Sequence, residues 1–162
     1  MSEKVSDHPF IPPDEPALVF QRLAPFYARS RDLSYLLIRI TVGGQLLVHG
    51  IAKLMGPGVM AFAAGSLARR GIEPSVPLAF VVFFNETVGA VCLILGLFTR
   101  VIAPIIAVQF LVVTIVHFHN GYGFASPGGG WEYPLMWGLI VFAVSLRGGG
   151  PYSLDRLIGM EV

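Results

Sequence analysis

The chain has 162 residues, 54% of them hydrophobic and 13% charged, with a formal net charge of +1 at neutral pH and a mean hydropathy of +0.70. Soluble domains carry about a quarter charged residues, so this balance excludes an ordinary soluble domain, and the near-neutral charge argues against nucleic acid as a partner. A lone cysteine, Cys92, removes an internal thiol–disulfide relay, structural disulfides and cysteine-rich zinc or iron–sulfur sites.

Residues 1–32 read as a polar tail rich in proline (Pro9, Pro12, Pro13, Pro16, Pro25), expected to be disordered at its beginning and without the pattern of a signal peptide. Between Ala17 and Tyr27 the apolar residues Leu18, Phe20, Leu23, Phe26 and Tyr27 lie beside Arg22, Arg29 and Arg31. That mixture suits a short interfacial segment on anionic headgroups or, more simply, a tail with anchoring aromatics. A first span is expected from about Leu33 to Met55, with Asp32 and Ser34 as caps and Gly56, Pro57 and Gly58 as the stop. Residues 59–75 have helical apolar spacing and the pair Arg69–Arg70 but are too short to cross, so they predict a short surface helix. The second span (about Val76 to Phe98) and the third (about Val101 to His119) are separated by Thr99 and Arg100 alone, which makes them an antiparallel hairpin. A glycine- and aromatic-rich loop over 120–131, expected to be flexible, leads to the shortest span, about Trp131 to Leu146, with Trp131, Tyr133 and Arg147 as interfacial anchors.

The predicted fold is all-α: a membrane-embedded four-helix bundle with short loops over 33–157, in contact with the lipid bilayer and followed by a C-terminal tail, 158–162. Lys4, Arg22, Arg29, Arg31, Arg100, Arg147 and Arg156 fall on one side of these spans and Arg69 and Arg70 on the other. The bias predicts a multi-pass cell-membrane protein with both termini cytoplasmic.

The spans carry ionisable groups: Arg39, His49 and Lys53 in the first, Glu86 in the second, His117 in the third, and Glu132 opening the fourth. A charge within the hydrocarbon costs several kcal/mol, at least about 2.5, so such residues normally face the bundle interior, find partners and mark function. On a helix, Arg39, Gly43, Leu46, His49, Gly50 and Lys53 share an arc of about 120°, with His49 and Lys53 one turn apart. Counting about 1.5 Å per residue from the outer ends, His117 and Glu132 lie near the interface, Lys53 just inside, His49 about 10 Å down, and Glu86 and Gln109 about 15 Å down. Arg39 is deeper and can stretch toward Glu86 or toward polar groups at the cytoplasmic end. The pattern predicts a polar funnel open to the outer face. His49 and Glu86 are its candidate catalytic groups, exchanging protons; Arg39, Lys53, Gln109, His117 and Glu132 are candidate binding residues for a quinone or other lipid-soluble carrier. The competing expectation is a structural network in which Glu86 pairs with Arg39 or Lys53 and pins the bundle. Gly43, Gly44 and Gly50 fit close helix packing better than a flat ligand. Imidazole and carboxylate groups at 49, 86, 117 and 132 also suit a metal, but no single-helix HxxxH or HxxE spacing supports one, and none is expected. A haem between His49 and His117 is disfavoured by their different depths.

The runs LIRITVGGQLLVHGIAKL, FNETVGAVCLILGLFTR, VHFHNGYG, WEYPLMW and GPYSLD resemble, in order and spacing, the DoxX family of four-helix membrane proteins over about residues 33–157. The matching pieces are His49-Gly50 with Lys53, Glu86 followed by GLFTR ending at Arg100, His117, Glu132, and Tyr152-Ser153-Leu154-Asp155. The resemblance implies a membrane subunit of a redox system, since the family is named for a subunit of an archaeal thiosulfate:quinone oxidoreductase and its relatives associate with membrane oxidoreductase complexes. It therefore also implies soluble or membrane redox partner proteins. The alternative, from another class, is a non-catalytic bundle that anchors partner proteins or passes a small solute.

Overall fold

A computed structural model describes residues 18–160, and the expected disorder of the first residues lies outside that range. Helix α1 spans Ala24–Met55; α2 (Gly58–Phe62) continues through a π-helical turn, Ala63–Leu67, and a 3-10 turn, Ala68–Arg70. Helix α3 (Ser75–Phe84) runs through a second π turn, Asn85–Gly89, into α4 (Ala90–Leu95), and these form one continuous rod. Helix α5 covers Thr99–His117, α6 Glu132–Arg147 and α7 Leu154–Leu157. No strand occurs among the described residues.

The first helix starts earlier than the expected caps allow. Pro25 sits in its opening turn, where proline needs no amide hydrogen and its fixed φ favours helix. No glycine or proline then interrupts the chain before Gly43. Asp32 instead approaches Arg147 on α6, 3.6 Å away, and Ser34 donates to the Arg31 carbonyl one turn back at 2.7 Å.

Helix α1 packs along the α3–α4 rod, α5 packs most extensively on α6, and α5–rod and α1–α6 contacts close the bundle. The shared core joins Tyr35, Val42 and Leu46 of α1, Ala90 and Leu93 of α4, Ala103 and Ile106 of α5, and Val141 and Val144 of α6. A second cluster, Ala63, Leu67 and Ala79, fastens the surface segment to α3. Close approach explains two of the three glycines in α1. A β-carbon on Gly43 would stand 2.6 Å from the Ile94 side chain, and one on Gly50 would run into the Glu86 carbonyl, whereas Gly44 meets nothing within 4 Å.

Outside the core the surface is apolar: Val48, Leu54, Val108, Ile115, Leu139 and Phe142 are all exposed. Water penalises such a continuous apolar girdle and lipid does not. Three helices, Gln21–Met55, Ser75–Leu95 and Thr99–Asn120, are long and apolar enough to cross a bilayer. The 16 residues of α6 give about 24 Å, short of a hydrocarbon core of about 30 Å. The 120–131 loop, expected to be flexible, is cross-tied. Asn120 Nδ2 donates to the Gly128 and Gly129 carbonyls, Trp131 N to Gly121 and Glu132 N to Tyr122.

Candidate functional site

The π turn at Asn85–Gly89 decides where Glu86 points. A π turn inserts one residue into the helix and re-aims the side chains around it, and here it turns both Asn85 and Glu86 into the bundle. Glu86 Oε2 receives the Lys53 ammonium at 2.5 Å, and its Oε1 accepts from Gln109 Nε2 at 3.3 Å. Gln109 Oε1 in turn accepts from Asn85 Nδ2 at 2.9 Å. Helices α1 and α5 thus meet the central rod through one chain of polar groups: Lys53, Glu86, Gln109, Asn85. Gly50, one turn before Lys53, lets α1 come close enough for the ammonium to reach.

Lys53 marks the inner edge of an open groove of 510 Å³ between the end of α1 and the surface segment. Ala52, Ala61 and Phe62 form apolar walls, and His49, Ser66, Arg69 and Arg70 contribute polar groups. The Lys53 ammonium also lies 4.7 Å from the centre of the Phe62 ring, a cation–π contact that holds it at the groove.

The other residues singled out from sequence are distributed differently. His49 is exposed on α1 and faces the groove, one turn from Lys53. His117 is turned back on its own helix, Nδ1 lying 2.8 Å from the Val113 carbonyl. Glu132 accepts from the Phe124 amide at 2.7 Å and so pins the preceding loop. Among the described residues no three His, Cys, Asp or Glu side chains gather where they could hold a metal ion.

Arg39 belongs to a separate network at the opposite end of the bundle. It is 1% exposed, and its guanidinium donates to the carbonyls of Gly149, Tyr152 (2.5 Å) and Ile94 (3.4 Å). Beside it Asp155 accepts from the amides of Phe98 (2.6 Å) and Thr99 (2.9 Å), capping α5, while its own amide donates to Gly96 at 3.0 Å. The Tyr35 hydroxyl donates to Gly148 at 2.5 Å. The segment after α6 is therefore folded back and latched onto the tight turn between α4 and α5. From sequence, Tyr152-Ser153-Leu154-Asp155 is legible only as a family signature; an aspartate after a glycine stretch is the signal that could have marked the latch.

The DoxX family model matches residues 34–120, more than half of the chain and inclusive of Arg39, Lys53, Glu86 and Gln109. The chain belongs to the DoxX family. An uncharacterized protein of Haemophilus influenzae is 31% identical over 122 residues, which cover 74% of this chain and 86% of that protein. No solved structure matches this chain. Membership and the apolar helices together make this DoxX protein a membrane protein in contact with lipid.

Proposed function

We propose that this DoxX protein is a membrane subunit of a quinone-linked redox system in which Glu86 exchanges protons with the carrier and the groove at His49 and Lys53 admits it. The chief support is a buried carboxylate, 7% exposed, paired with a lysine that also borders an open groove. Buried ion pairs add little to stability over apolar packing, and intramembrane carboxylates are by default functional. A π turn under the carboxylate adds support, because such insertions concentrate at functional sites.

The lining of the groove supports a flat carbonyl-bearing ring as its occupant. Ala52, Ala61 and Phe62 supply apolar faces, and His49 and Lys53 supply donors at its edge. A quinone, when bound, supplies two-electron, two-proton chemistry. The chain's own residues would orient it and handle protons: Lys53 and His49 by donation at the groove, Glu86 by protonation at its Oε1 or Oε2, Gln109 and Asn85 by holding the carboxylate in place. In this reading electrons come from a redox partner protein or a bound cofactor, since a lone thiol, Cys92, cannot cycle between dithiol and disulfide within the chain. Four spans with both termini in the cytoplasm complete the reading.

Gentle extraction followed by mass spectrometry of bound lipids and co-purifying proteins tests it. Quinone should accompany the wild type and be lost from Glu86→Gln, with folded protein retained. A ligand-free preparation in which Glu86→Gln lowers only stability would instead make the network structural, as in a bundle that anchors partners or passes a solute.

A further inference from the structure

Two arginines on the outer wall of the groove are unused by the proton reading. Arg69 donates through Nε to the Gly65 carbonyl at 2.5 Å, and its guanidinium lies over Gly65, where a β-carbon would stand 3.4 Å from Nη2. Arg70 donates through Nη1 to both the Ser66 carbonyl, 2.9 Å, and the Ser66 hydroxyl, 2.8 Å. Both side chains are fastened by one edge to their own turn, and each guanidinium has five N–H donors, so donors remain on each. Both line the groove.

No carboxylate neutralises them among the described residues, because every one there is committed elsewhere. Asp32 approaches Arg147, Glu86 holds Lys53, Asp155 caps α5 and Glu132 takes the Phe124 amide. Glu73, the nearest in sequence, accepts from the Ser75 amide. The groove lining holds His49, Lys53, Arg69 and Arg70 and no acidic residue, and only the Lys53 charge is compensated. Its position also counts: the segment follows α1 at the end of the bundle away from the Arg39 latch, with Met60 exposed beside it, and a segment just past the end of a bilayer-length helix falls at headgroup level. Guanidinium forks held by one edge match the oxygens of a phosphate.

We infer that this groove binds a phosphate-class oxyanion at the membrane surface, recognised by Arg69 and Arg70. A lipid phosphodiester and free phosphate share that chemistry. The anion site shares its groove with the carrier of the redox reading, but neither arginine is bonded to Glu86 or Lys53, so lipid retention reads the arginines and quinone retention with Glu86→Gln reads the carrier.

The test uses the full-length protein in neutral detergent, with native mass spectrometry reading retained lipid. Phosphatidylglycerol is titrated in, diacylglycerol serves as the phosphate-free control, and inorganic phosphate is added as competitor. Phosphatidylglycerol should be retained and diacylglycerol should not. Arg69→Gln with Arg70→Gln should weaken retention roughly 30-fold, the sum of about 1 kcal/mol per basic side chain near an anionic headgroup. Arg69→Lys with Arg70→Lys should lose less, since charge survives and the fork does not. Displacement by millimolar phosphate would assign the site to the oxyanion itself; resistance to it would assign the site to the lipid. Equal phosphatidylglycerol retention by the wild type and the Gln pair would overturn the inference.

Discussion

Glu86 and Arg39 are both buried, both intramembrane and chemically opposite, yet they never meet. Glu86 answers to Lys53 and Gln109, and Arg39 answers to main-chain carbonyls with Asp155 nearby. Their substitutions should therefore behave differently. With Glu86→Gln, Lys53 can swing into the open groove, so the loss of stability should stay below the roughly 3–5 kcal/mol of a stranded buried charge while the loss-of-protein phenotype appears in full. Combining it with Lys53→Met measures the pair. A coupling of about 0.5–3 kcal/mol in the double-mutant cycle is the expected outcome, and strict additivity of the two changes would show that the pair is not an interacting unit. Asp155→Ala leaves the amides of Phe98 and Thr99 without their acceptor. At roughly 1–3 kcal/mol per stranded buried donor, it should lower stability by about 3 kcal/mol and reduce the folded protein recovered from membranes. Recovery and melting equal to the wild type would mean that the latch is dispensable.

Among the elements, the spacing between α1 and the α3–α4 rod sets whether the polar chain can form. Gly50 faces the Glu86 carbonyl and Thr87, and Gly43 faces Ala90 and Ile94, one on each side of the Leu46 contact. Gly50→Leu should wedge the two apart, separate Lys53 from Glu86 and abolish both folding yield and function. Gly44→Ala is the matched control: nothing stands within 4 Å of its β-carbon, and replacing glycine in a helix gains up to about 1 kcal/mol. Thermal melts of the two variants in detergent check the contrast, and equal behaviour would contradict the packing. The turn between α4 and α5 depends on a different glycine. Gly96 has φ 67°, and a β-carbon there would collide with Arg39 and Ser153. One position thus serves the backbone reversal and the seating of the C-terminal segment together.

For the molecule as a whole, the bundle has a latched end, where Arg39, Asp155 and the α4–α5 turn meet, and a grooved end, where Lys53, the surface segment and the aromatic loop lie. The arginine bias predicts that the latched end faces the cytoplasm. Single cysteines introduced at Ser66, Ser126 and Ser153 after replacement of Cys92 test this. Membrane-impermeant labels added from outside should modify the first two and spare the third; the reverse pattern would place the groove on the cytoplasmic side and with it the proposed anion and carrier sites.

Class and inventory were legible in the chain alone. Runs of about 20 apolar residues demand helices, because unsatisfied backbone groups cannot be left in lipid, and the surface segment, the hairpin and the family could be read in the same way. The polar residues were visible as candidates, since a charge in such a run stands out. Their grouping was not. Depth counted along straight helices put Glu86 and Gln109 at one height, and they do meet, but it could not foresee the π turn that rotates Asn85 and Glu86 inward. Nor could it tell that His49 looks into a groove while Gly50 beside it is buried. Arg39 was the hardest case: its partners are carbonyl groups more than 50 residues away in the chain. Such groups carry no sequence signal, and only tertiary packing brings them to it.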